Sequence, residues 1–109
     1  MSLSIVIPAK NEAATIGTVV TTARESFPDA EIIVVDDGST DDTVEVARAA
    51  GAILVQHPES LGNGAAVKTG ARTATGDIIA LMDGDGQHDP NELGPLLEKL
   101  DQGYHMAVG

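Results

Sequence analysis

Four apolar runs recur along the chain, Leu3 to Ile7, Glu31 to Val35, Ala52 to Val55 and Ile78 to Met82, and none alternates regularly between polar and apolar residues. A strand that is apolar along its whole length needs cover on both faces, the condition of a parallel sheet packed between helices. The intervening segments carry helical spacing. Ile16, Val19, Val20, Ala23 and Phe27 mark a helix from about Glu12 to Ser26, with Asn11 as its N-cap. A second helix is expected from about Asp41 to Ala50, capped by Ser39 or Thr40. A third runs from Asn63 or Gly64 to Thr75, and its small inner residues Ala66, Gly70, Ala71 and Ala74 permit close packing on a sheet. Asp89-Pro90-Asn91-Glu92 resembles a helix start, with Asp as cap and Pro in the first turn. Leu93, Leu96, Leu97 and Leu100 then predict a fourth helix to about Gln102, and Tyr104 to Val108 a fifth strand. Strand and helix alternate four times before that last strand, which specifies an α/β fold with a mostly parallel sheet and right-handed crossovers.

Such a fold confines the chemistry. Ligands of open α/β sheets bind outside the carboxyl ends of the strands, and the polar clusters of this chain fall there. The first strand runs into Pro8-Ala9-Lys10-Asn11-Glu12, the second into Asp36-Asp37-Gly38-Ser39, the fourth into Asp83-Gly84-Asp85-Gly86-Gln87-His88. In extended backbone Asp83, Asp85 and Gln87 share a side, and their hard oxygen atoms suit Mg²⁺ or Mn²⁺. A divalent cation would also reconcile this acidic rim with a bound diphosphate. Lys68, on the third helix, and Lys10 are candidates to reach phosphate oxygens. For Lys10 the plainer reading is a solvated surface lysine.

Other readings are narrower. Gly62-Asn63-Gly64-Ala65-Ala66-Val67 has valine where a dinucleotide fingerprint needs its last glycine, and the segment before Lys68 lacks the glycine of a P-loop. His57 is expected in a turn ahead of Pro58, His88 beside the carboxylates as a phosphate or metal contact, and His105 as a structural residue of the last strand. The net charge of −11 argues against nucleic acid as a partner. There is no cysteine, hence no disulfide and no thiolate metal site. No apolar run approaches the roughly 20 residues of a membrane span, and no signal peptide is visible.

Taken in order, five stretches resemble the family 2 glycosyltransferases of GT-A fold, and most closely the dolichyl- or polyprenyl-phosphate sugar synthases. They are Ile5-Val6-Ile7-Pro8-Ala9-Lys10-Asn11-Glu12, Val34-Val35-Asp36-Asp37-Gly38-Ser39-Thr40-Asp41, Gly62 through Gly70, Ala74-Thr75-Gly76-Asp77, and Asp83 through Pro90. The resemblance implies a Rossmann-like nucleotide-diphospho-sugar transferase fold and a set of roles. Pro8, Asn11 and Glu12 would line the nucleotide pocket. Asp37, or failing it Asp36, would hydrogen-bond the base. Asp83 would contact ribose or diphosphate. Asp85, the catalytic candidate, would hold Mg²⁺ or Mn²⁺ with Gln87 and Asp83, and Lys68 would sit near the phosphates. The implied partners are a GDP-mannose- or UDP-glucose-type donor and a lipid-phosphate acceptor, with inverting transfer between them. Members of the family continue past this length, so residues 1–109 are expected to be the donor-binding half, truncated before the acceptor half and in doubt as an enzyme alone. The expected location is cytoplasmic, peripheral to the membrane face in the full-length protein. The last strand is expected to be open to self-association.

Two alternatives stand beside this. A sugar-nucleotidyltransferase has a related architecture but opens with a glycine-rich basic loop, which Pro8-Ala9-Lys10-Asn11-Glu12 is not. A non-catalytic nucleotide-binding fragment would suit the short length.

Overall fold

The computed structural model describes residues 2–82 in full and, by backbone, the strands Leu96–Leu100 and Gly103–Ala107. Seven elements fill the fully described part: β1 (Leu3–Ala9), α1 (Ile16–Ser26), β2 (Glu31–Asp37), α2 (Thr43–Ala49), β3 (Ile53–His57), α3 (Asn63–Thr73) and β4 (Ile78–Leu81). The strands Leu96–Leu100 and Gly103–Ala107 are β5 and β6. The sheet order is β3-β2-β1-β4-β5-β6. β1 pairs in parallel with both β2 and β4, and β2 with β3.

Alternation along the central strands divides the interior in two. Ile5 and Ile7 of β1 and Ile32 and Val34 of β2 face α1 and α2, where they meet Ile16, Val20, Ala23 and Ala47. Val6, Ile33 and Val35 point the other way, toward Ala66 and Ala71 of α3. Three layers result, as burial on both faces requires. On the α3 side the approach is closest at Gly70, where a Cβ would come within 2.3 Å of Val6 Cγ1.

The carboxyl-terminal part departs from expectation. Residues 96–100, expected in the fourth helix, form β5, antiparallel to β4, and β6 returns antiparallel to β5. Leu96, Leu97 and Leu100 fit a helical face, but the run Leu96-Leu97-Glu98-Lys99-Leu100 is too short for spacing alone to decide helix against strand. Pairing with the otherwise open edge of β4 settles the matter in favour of the sheet. The first helix also starts later than expected, at Ile16 after a turn in which Thr15 N–H and Ile16 N–H donate to Glu12 O. Asn11 does not cap it. α2 begins after Asp42 rather than after Ser39 or Thr40.

Candidate functional site

Because β1 is flanked by β2 on one side and β4 on the other, the strand order reverses at β1. A crevice at the carboxyl ends is expected there. The register places Ala9 beside Asp36, and Asp37 beside His57. Pro8, Asn11, Glu12, Asp36 and Asp37 therefore gather on one edge of the sheet.

Two loops on this edge are stitched together by side chains. Asn11 N–H donates to Ser39 Oγ at 2.8 Å, and Thr40 N–H donates to Asn11 Oδ1 at 2.8 Å. Glu12 N–H donates to Thr43 Oγ1 at 2.8 Å, and Ala13 N–H to Asp41 Oδ2 at 3.3 Å. Asn11 adopts φ 54°, the left-handed region that asparagine tolerates better than most residues. That conformation turns its amide oxygen across to the second loop instead of along α1. The Thr43 hydroxyl, which donates to Asp41, together with the Thr43 and Ala13 N–H groups holds the Asp41 carboxyl below its ordinary range.

Asp36 and Asp37 are adjacent in sequence but serve opposite faces. Asp36 continues the row of Ile32 and Val34, and Asp37 that of Ile33 and Val35. Asp37 is 6% exposed. Its Oδ1 accepts from His57 Nδ1 and Leu61 N–H, both at 2.8 Å, and its Oδ2 from Ser60 Oγ and Gly62 N–H, both at 3.0 Å. A carboxylate has about four lone-pair sites, and all four are taken by the protein. These donors, His57 foremost, outweigh the cost of burial and hold the carboxyl well below the usual carboxylate range. Asp36, at 3% exposure, is different. Its Oδ2 accepts from Ser39 N–H at 3.2 Å, while Oδ1 is buried without a partner among the described residues.

The loop between β3 and α3 is held over this edge. Gly38 carries φ +76°, and a Cβ there would lie 2.7 Å from Ser60 N, so the β2 turn and residues 58–62 fit only with glycine at that point. Lys10 is exposed, as expected, and its Nζ donates to Ser60 Oγ at 3.1 Å on this edge. Lys68 is exposed on the second turn of α3. Asp83, Asp85, Gln87 and His88 lie outside the described residues. Among the described residues no group of three or more acidic, histidine or cysteine side chains is arranged to hold a metal ion.

Sequence reasoning gave no site role to Ser60 or Thr69, and it expected His57 in a turn ahead of Pro58 rather than as the last residue of a strand. His57 ends β3, is buried, and bonds Asp37 through Nδ1 and Thr69 Oγ1 through Nε2, each at 2.8 Å. The available signal was a histidine closing a strand directly alongside a strand that closes in aspartate.

A family model described as glycosyl transferase family 2 matches residues 4–109. The chain belongs to glycosyl transferase family 2. Dodecaprenyl-phosphate galacturonate synthase of Rhizobium johnstonii is 37% identical over 112 residues, covering 94% of this chain and 33% of that protein. The glucosyl-3-phosphoglycerate synthase of Mycobacterium tuberculosis, solved with Mn²⁺, UDP-glucose and phosphoglyceric acid, superimposes with a TM-score of 0.67. It shares 35% identity over 76% of this chain and 33% of that one. A mannosyltransferase of Pyrobaculum calidifontis, solved with GDP-mannose and Mn²⁺, gives 0.71 at 31% identity over 76% of this chain and 27% of that one. The fold of this family 2 chain is therefore that of the GT-A glycosyltransferases, as the ordered motifs implied. The chain spans between a third and a half of the length of these curated relatives, from 33% to 48%. Among the described residues no helix is long and apolar enough to cross a membrane.

Proposed function

We propose that residues 1–109 form the donor-binding part of a glycosyltransferase that moves a sugar from a nucleoside-diphosphate sugar to a phosphate-bearing acceptor. The carrying observation is Oδ1 of Asp36, buried without a partner among the described residues, on the edge where the strand order reverses. A buried acceptor without a donor is costly in an apolar setting, and an N–H of a nucleobase would complete it. The Asp37 carboxylate is consumed by the protein, so the base contact falls to Asp36, the reverse of the order inferred from the motif. Pro8, Asn11 and Glu12 supply the adjoining wall, and Lys10 and Lys68 the positive charge nearest the diphosphate.

Asp83, Asp85 and Gln87 form a hard oxygen donor set suited to Mg²⁺ or Mn²⁺. A cation held there supplies Lewis-acid stabilisation of the departing diphosphate. In the reaction, an acceptor phosphate oxygen attacks the anomeric carbon. The bond from that carbon to the diphosphate oxygen breaks, configuration inverts, and nucleoside diphosphate leaves with the electron pair. A phosphate oxygen is already anionic, so a strong general base is not required. The relative that builds a dodecaprenyl-phosphate sugar supports a polyprenyl or dolichyl phosphate as acceptor. Action at the cytoplasmic membrane face and pairing of two chains along the edge strand β6 belong to the same proposal.

The test is calorimetry of GDP and UDP with Mn²⁺ on the protein, Asp36→Asn and Asp85→Asn. Each substitution should weaken binding by about tenfold or more, the worth of a hydrogen bond to a charged group. EDTA should weaken wild-type binding. Equal affinities in all three proteins would refute the assignment. Release of pyrophosphate rather than nucleoside diphosphate on turnover would indicate nucleotidyl transfer instead.

A further inference from the structure

His57 joins three elements through one buried ring. It ends the edge strand β3, its Nδ1 meets Asp37 at the end of β2, and its Nε2 meets Thr69 on α3. Because the Asp37 carboxyl stays ionised through the ordinary pH range, it can only accept. Nδ1 must therefore carry the proton of that bond. In the neutral ring this leaves Nε2 to accept the Thr69 hydroxyl, so the two neighbours fix both the tautomer and the ring plane.

What Asp37 holds beyond His57 is a segment that apolar burial cannot place. Pro58, Glu59, Ser60, Leu61 and Gly62 are all exposed, with Leu61 at 54%. The segment is tied down by the hydroxyl of Ser60 and the N–H groups of Leu61 and Gly62, all donating to Asp37. Ser60 in turn receives Lys10 Nζ from the end of β1. A chain of contacts runs from Thr69 through His57, Asp37 and Ser60 to Lys10.

We infer that His57 is a positioning residue: by orienting Asp37 it sets residues 58–62, and through Ser60 the Lys10 ammonium, at the edge that receives the donor. The link to donor binding rests on the function proposed above; the anchoring of residues 58–62 does not. His57 touches no substrate in this scheme and acts only through its neighbours.

Three substitutions separate this from a merely structural histidine. His57→Phe keeps ring volume and removes both bonds. His57→Asn can place an amide N–H near the position of Nδ1. His57→Gln reaches toward Thr69 and leaves Asp37 without that donor. Amide hydrogen exchange, read by NMR at Leu61 and Gly62 against Ile33 and Val34 in β2, should quicken tenfold or more at the first pair alone in His57→Phe and His57→Gln. His57→Asn should recover most of the protection. The affinity for GDP or UDP with Mn²⁺ should fall in the same order, by about tenfold in His57→Phe. Thr69→Val, nearly isosteric, should shift exchange in the same direction by a smaller factor, and it serves if a His57 variant fails to fold. Unchanged exchange at Leu61 and Gly62 in a folded His57→Phe or Thr69→Val protein overturns the anchoring. So does equal loss in His57→Asn and His57→Phe. Loosened loop amides with unaltered nucleotide affinity overturn the link to the donor. Failure of the wild type to bind either nucleotide counts against the proposed function, and the exchange measurements still decide the anchoring.

Discussion

Asp37→Asn removes one negative charge and replaces one oxygen with an NH₂ group, at nearly constant volume. The amide oxygen can remain toward His57 Nδ1 and Leu61 N–H. The NH₂ then faces Gly62 N–H, a donor against a donor, and Ser60 Oγ, whose hydroxyl can turn to accept. One bond is lost outright, and the two kept by the oxygen weaken because the acceptor is no longer charged. Hydrogen bonds to charged groups contribute about 1.5–3 kcal/mol each, against about 1 kcal/mol for neutral pairs. Loss of the Gly62 bond and partial loss at the other two gives an expected destabilisation of about 2–4 kcal/mol. The burial penalty of the charge, which the substitution relieves, pulls toward the lower end. The assay is urea unfolding followed by far-UV circular dichroism. With a slope of about 1–2 kcal/mol per molar for a chain of this size, the midpoint should fall by roughly 1–4 M. A loss under about 0.5 kcal/mol would show that the four donors do not depend on this charge, and the account of residues 58–62 would fail with it.

Acid should erase part of that difference. The folded-state pKa of Asp37 is depressed, so its contribution is complete above the ordinary carboxylate value near 4 and is lost as pH falls toward the folded value. Stability curves of wild type and Asp37→Asn should converge as pH drops below about 4; a constant gap down to pH 2 contradicts the assignment. Gly70→Ala should destabilise despite the gain of about 1 kcal/mol in helix propensity. Its Cβ would lie 2.3 Å from Val6 Cγ1, and overpacking typically costs about 1–3 kcal/mol. Thermal or urea unfolding with no loss would mean that α3 can lift from the sheet freely.

Much of this architecture is legible in the residues themselves. Runs such as Ile32-Ile33-Val34-Val35 call for a strand covered on both sides, and they form one. The small face of α3 announced its close approach, which Gly70 makes against Val6 and Val35. The stretch from Leu96 to Leu100 was not legible in the same way, because with Leu93 its leucines recur at helical spacing and only pairing with the edge of β4 makes it a strand. Asn11 failed as a cap for a related reason: its best partner, Thr40 N–H, lies 29 residues away and no local rule points to it.

The paired aspartates show where motif reading stops and geometry takes over. A sequence of two carboxylates invites a choice of one as the ligand contact, and the family resemblance pointed to the second. Strand alternation makes them unlike. The second turns toward α3, where His57, the Ser60 hydroxyl and the amides of residues 61 and 62 exhaust it; the first turns toward the Asn11 and Ser39 loops with one oxygen unmatched among the described residues. A fully coordinated carboxylate organises its surroundings, and one with an oxygen unmatched among the described residues is the better candidate for a ligand contact. In the proposed function Asp37 shapes the wall while Asp36 meets the base, a division argued from a two-residue period and a count of donors.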